Sequence, residues 1–140
     1  LMIELSYQNN FTPLDEVVYS KWMELMAFSE NKTIGELSVV FCSDEFLLKI
    51  NQNHLNHDTY TDIITFDYSE NGLINGEIYI STERVKENAG RFSVSEINEL
   101  QRVMAHGVLH LCGYGDKSDL ETQVMRDKEN EKIGMFHVKQ

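Results

Sequence analysis

With 140 residues, 41% of them apolar and 25% charged, the chain has the balance of a globular protein and the length for one substantial core, which excludes a disordered chain and two independent domains. The formal net charge of −11 excludes a broad basic surface for gripping nucleic acid. Any contact with a polyanion must be local, where some of the 12 Lys and Arg residues gather or a bound cation adds positive charge.

The opening LMIELSYQNN lacks the basic and apolar blocks of a signal peptide, and no later run approaches the roughly 18 apolar residues of a membrane span. The expectation is a single cytoplasmic domain over residues 1–140, with Met2 as the native start and Leu1 an added residue. Residues 2–7 read as a strand. Thr12 can cap a helix whose first position suits Pro13, and Val17, Val18, Trp22, Leu25 and Met26 then recur at helical spacing. A second strand is expected from about Gly35 to Cys42, with Ser43 capping a helix through about Gln52. The polar loop QNHLNHDTYT leads into the strand DIITF, and a turn around Asn71 to Asn75 leads into GEIYIS, making antiparallel neighbours. Ser81 to Asn88 reads as a helix that Gly90 stops. Ser93 and Glu96 have the spacing of a capping box, with Phe92 and Ile97 at the staple positions. The long helix that follows puts Ile97, Leu100, Val103, Met104 and Leu111 on one inward stripe and ends near Gly113. Ser118 and Glu121 have the same box spacing before a polar C-terminal helix that reads as stopping at Gly134. The expected class is α+β, a small mixed sheet of about four strands covered by about five helices. The two cysteines, Cys42 and Cys112, form no CxxC pair and read as free thiols of a reducing compartment, Cys112 packing in the core.

The chemistry concentrates in His106-Gly-Val-Leu-His110-Leu-Cys-Gly113-Tyr-Gly-Asp116, an HxxxHxxGxxD pattern. Two histidines four apart on a helix project from one face, about a turn apart, so both imidazoles can meet one ion. Gly113 allows a left-handed backbone, so the chain can leave the helix and swing back to bring in an oxygen of Asp116. Three protein ligands with an open fourth position make a catalytic zinc site, whereas a structural site usually fills all four. The frame is that of the metzincin proteases, but Gly107 stands where their HExxH carries the glutamate base. A peptidase therefore lacks its proton acceptor, and another hydrolysis is expected.

HGVLHLCGY followed by an acidic residue resembles the HGxLHLxGYDH signature of the YbeY family of bacterial metal-dependent endoribonucleases, which act in ribosomal RNA maturation. INQNHL…TDIITF is similar to the family's LNxxxR…TDVLSF segment, and GEIYIS to its GDIxIs strand. Order and separations agree over nearly the whole chain. The resemblance implies a zinc-dependent endoribonuclease that uses metal-activated water on single-stranded ribosomal RNA, with ribosomal proteins as further partners. His106, His110 and Asp116 are then the ligands, Asp116 standing where the family usually has histidine. Leu55 stands where the family usually has a phosphate-contacting arginine, a role left to Arg84, Lys86, Arg91 or Lys117. No general base is assigned. Two other readings stay open, a metallohydrolase of another substrate class and a ribosome-associated binding module whose metal is structural.

The remaining candidates are weaker. His54 and His57 lie in the polar loop, as surface residues or as substrate contacts, and His137 is incidental. Asp62 and Glu77 border the strands expected to line the cleft, in turn or water-positioning roles. Glu129 and Glu131 belong to a charged, solvated helix face.

Overall fold

The structure, a computed structural model, describes residues 2–55 and 61–138, without the side chains of residues 54, 55, 137 and 138. The readings of His54, Leu55 and His137 therefore fall on side chains that are not described, and that of His57 lies outside the described residues. β1 (Met2–Tyr7) and β2 (Thr33–Cys42) pair in parallel, from Met2 against Glu36 to Tyr7 against Phe41. Parallel neighbours need a crossover, which α1 (Glu16–Ser29) supplies. α2 (Asp44–Leu55) follows, then β3 (Ile63–Asp67) and β4 (Leu73–Ser81) as antiparallel neighbours, with β4 parallel to β2 on its other edge. The sheet order is β1-β2-β4-β3. α3 (Thr82–Phe92), α4 (Glu96–Leu111) and α5 (Asp119–Val138) complete the α+β architecture of a four-stranded mixed sheet and five helices. None of the described helices is long and apolar enough to cross a membrane.

The main core forms where Val39, Phe41, Ile78 and Ile80 of the sheet meet Met23 and Met26 of α1 and Val103, Met104 and Val108 of α4, all buried. A register shift between Ile34 and Leu37 changes the alternation of β2, so both side chains enter that core although they are an odd number of residues apart. α2 covers the opposite face, where Leu47 packs with Cys42 and Ile64.

Several boundaries differ from the expectation for identifiable reasons. The first helix is capped by Asp15, whose carboxylate accepts from Val18 N at 3.1 Å, and not by Thr12. Phe11 is held over the rings of Tyr7 and Phe41, and Leu14 N donates to Tyr7 Oη at 2.9 Å, so this segment crosses the core edge before it can wind. α3 runs through Gly90 and ends at Ser93, which takes the left-handed conformation (φ 58°). With Ser93 used as that stop, Ser95 caps α4 by accepting from Asn98 N at 3.0 Å. The proposed staple pair is exposed, Phe92 at 56% and Ile97 at 50%. The box at Ser118 and Glu121 does form, each side chain accepting from the other residue's N–H. α5 passes Gly134 because Ile133 and Phe136 are buried, Phe136 against the rings of Tyr19 and Trp22.

Candidate metal centre and its cleft

α4 lies on the sheet through its buried stripe, and Gly107 sets how closely. A Cβ at this position would come within 3.0 Å of the Ile63 and Ile78 Cδ1 methyls. The position that carries the glutamate of HExxH thus faces the sheet, where a carboxylate would be buried among isoleucines without a partner. His106 and His110 emerge on the flank of the same helix, with side chains 23% and 24% exposed. After Leu111 the chain closes on itself, Gly113 N donating to His110 O and Tyr114 N to Leu109 O. Gly113 has φ 107°, a conformation that favours glycine, and the reversal brings Asp116 back over the helix end.

Three donor atoms converge there. His106 Nε2 and His110 Nε2 are 2.9 Å apart, and Asp116 Oδ2 lies 3.3 Å from the first and 3.2 Å from the second. A tetrahedron with bonds of about 2.0–2.1 Å has edges of about 3.3 Å, so this triangle matches one face of a zinc-sized coordination shell. The other ring nitrogens are engaged. His106 Nδ1 is 2.7 Å from Glu129 Oε2, and His110 Nδ1 is 2.9 Å from Tyr114 O. A backbone carbonyl can only accept, so Nδ1 of His110 carries its proton and Nε2 keeps its lone pair for the shared point. Glu129 does the same for His106. Among the described residues no fourth His, Cys, Asp or Glu joins the group.

Glu129 is itself held. Its side chain is 6% exposed, and its Oε1 accepts from Arg102 Nη1 at 3.0 Å while Arg102 Nη2 donates to Asn130 at 2.9 Å. A cleft of about 320 Å³ opens beside the histidines. Its floor carries Ile63, Val103 and His106, and its charged groups include Asp62, Glu99, Arg102, Asp116, Arg126 and Glu129. Burial pushes the Asp62 carboxyl above its usual range, with the His106 charge opposing. Burial and then the charge of Asp62 push Glu99 up as well. For His106, burial works to lower the pKa, but the hydrogen bond and charge of Glu129, with Asp116 and Asp62, outweigh it and hold the imidazole above its usual value.

The structure brings His106, His110 and Asp116 together and sets Asp62 in the adjoining cleft. Glu77 lies on the opposite face of the sheet, where its Oε1 accepts from Tyr79 Oη. Cys112 packs against the main core, and burial raises its thiol to about 11. None of Arg84, Lys86, Arg91 and Lys117 lines the cleft, and Arg84 is tied to Asp44 at 2.9 Å. Glu129 departs most from the sequence reading, being buried on the inner side of α5 and not solvated. Its signal is periodic. Met125, Glu129, Ile133 and Phe136 recur at helical spacing, so this carboxylate sits on the apolar stripe.

The arrangement is that of a helix-borne cluster of two histidines and one carboxylate in an α+β domain. A family model described as Endoribonuclease YbeY matches residues 5–137. Proteins named Endoribonuclease YbeY from Flavobacterium psychrophilum and Flavobacterium johnsoniae are 54% and 51% identical, covering 99% of this chain and 99% and 100% of their own lengths. A solution structure of a Thermotoga maritima protein superposes with a TM-score of 0.68 at 26% identity, covering 99% of this chain and 93% of that one. The chain belongs to the YbeY endoribonuclease family.

Proposed function

We propose that this protein is an endoribonuclease that cuts single-stranded RNA in ribosomal RNA maturation, with a divalent metal, zinc as first candidate, held by His106, His110 and Asp116. The observation that carries the reading is the triangle of two Nε2 atoms and one Oδ2 with edges of 2.9 to 3.3 Å, in a chain of an endoribonuclease family. Two imidazoles and a carboxylate are a zinc donor set with one position left for water or substrate. A metal bound there supplies a Lewis acid for a phosphoryl oxygen and a water of lowered pKa. The chain's own residues prepare that point. Glu129 and the Tyr114 carbonyl hold the ring protons at Nδ1, Arg102 fixes Glu129, and Gly107 keeps α4 against the sheet, so the donors need little rearrangement.

The test compares zinc-loaded protein, chelator-treated protein and an Asp116→Ala variant on single-stranded and duplex RNA of one sequence. The loaded wild type should cut the single strand and spare the duplex, while the chelator-treated protein and the Asp116→Ala variant, which lacks one of the three ligands, should leave both intact. Intact RNA in every sample, or equal cleavage with and without metal, would overturn the assignment.

A further inference from the structure

We infer that the cleft beside His106 and Asp116 contains a nucleotide subsite, in which Phe92 stacks on a base of single-stranded RNA and Arg126 binds a neighbouring phosphate. The inference rests on the endoribonuclease reading and adds the residues that grip the substrate.

α4 packs against both α3 and α5, and the cleft is lined from all three helices. α3 contributes Asn88 and Phe92, four residues apart and so on one helix face, while α5 contributes Thr122 and Arg126. Val85 and Ala89 are buried, but Phe92, next on the same stripe, remains 56% exposed at the cleft. A large aromatic side chain open to water beside a candidate catalytic centre offers a π-face to a planar ligand. Bases stack on such rings without regard to sequence, and the Asn88 amide one turn away can hydrogen-bond a base edge.

The charges divide the two arginines of the cleft. Arg102 is 20% exposed and committed, one nitrogen to Glu129 and another to Asn130. Arg126 is 58% exposed, and its contact with Glu129 is a long one, 3.8 Å through Nε. Its fork can therefore turn to a phosphate, which takes arginine in bidentate fashion. In a cleft that also holds Asp62, Glu99 and Asp116, this cation adds to the charge of a bound ion in offsetting repulsion of an RNA backbone. A paired base is stacked within its duplex and cannot reach Phe92, so the subsite also accounts for single-strand preference.

Binding of a fluorescein-labelled single-stranded oligoribonucleotide to zinc-loaded protein, read by anisotropy before cleavage, tests the subsite, with cleavage rates measured in parallel. Phe92→Ala should weaken binding about tenfold with an unchanged salt dependence, and Phe92→Trp should restore it. Arg126→Gln should weaken binding and reduce the slope of log Kd against log salt by about 0.7, the loss of one phosphate contact. Metal content and melting temperature should stay at wild-type values in all three variants. Phe28→Ala, which removes an aromatic ring 77% exposed on α1, should bind normally. Wild-type affinity in both Phe92→Ala and Arg126→Gln, while the wild type binds and cuts RNA, overturns the subsite alone. Binding with the expected variant pattern but no cleavage overturns the endoribonuclease reading and leaves the subsite standing. A wild type that binds no RNA overturns both.

Discussion

Glu129 has one oxygen on a histidine and the other on an arginine, and both contacts shape the donor triangle. The 2.7 Å bond to His106 Nδ1 fixes which way the ring faces, and Arg102 at 3.0 Å keeps the carboxylate from turning away. Carboxylates in this position orient a ligand and increase its basicity, and their loss typically costs 10–100-fold in metal affinity. Glu129→Gln retains the shape and one acceptor but loses the charge that Arg102 and His106 both use. Competition with a chromogenic zinc chelator should show a weakening of at least about tenfold, with an unaltered far-UV spectrum. Unchanged affinity would mean that the carboxylate only fills space. The histidine pair and Gly113 were legible in the sequence because their geometry is local, set by the helical repeat and by one φ angle. Glu129 and Arg126 were not, since which side of α5 meets α4 is decided by packing at long range, and a carboxylate beside Arg126, Asp127 and Lys128 looks like any solvated face.

Helices α4 and α5 together hold the site, and α1 holds them in turn. Lys132 of α5 is fully buried, with Nζ 2.6 Å from Glu30 Oε2 at the end of α1, and Glu30 Oε1 accepts from Tyr114 Oη at 2.6 Å. Tyr114 is the residue whose carbonyl receives His110, so this network joins three helices behind the second histidine. Burial alone would raise the Glu30 carboxyl, but hydrogen bonds from Lys132, Tyr114 and Lys128 outweigh it and lower the pKa from 4.5 to about 2. A depressed carboxyl contributes stability that is complete above its unfolded value and lost as pH falls through its folded one, here between about 4.5 and about 2. Urea titrations from pH 6 to pH 2 should therefore show the gap in stability between wild type and Glu30→Gln closing across that window. A gap that stays constant with pH would show that the ion pair does not supply it. The elements that carry the network were expected in the sequence, as were the glycine bend that ends α4 and the box that opens α5, but the starts of α1 and α4 were not, because a start is chosen by competition. Asp15 competes with Thr12, and Ser95 with Ser93, and each winner is decided by a tertiary constraint, the Phe11 anchor in one case and the left-handed turn at Ser93 in the other.

For the molecule as a whole, the question is whether metal organises the fold or only the chemistry. The core is continuous through the sheet, α1 and α4 without any contribution from His106, His110 or Asp116, whose side chains sit on its rim. With some thirty buried apolar residues the domain is expected to fold without an ion. This separates a catalytic role from a structural one by measurement. A ligand that binds only the folded state adds RT ln(1 + [L]/Kd), about 2.7 kcal/mol at a hundredfold excess over Kd, which for a chain of this size raises the melting temperature by roughly 10 °C. Zinc should produce a rise of that order in the wild type and almost none in Asp116→Ala, while chelator-treated protein at 25 °C keeps its far-UV spectrum and a cooperative melt. Loss of the cooperative transition on chelation would make the metal a structural element and the cleft a binding surface. The surface charge sets a second condition on the same experiment. At a formal −11 the protein as a whole repels a polyanion, and the cleft itself holds four carboxylates against two arginines, so the positive charge of a bound ion favours RNA there and RNA binding should weaken on chelation even though the fold persists.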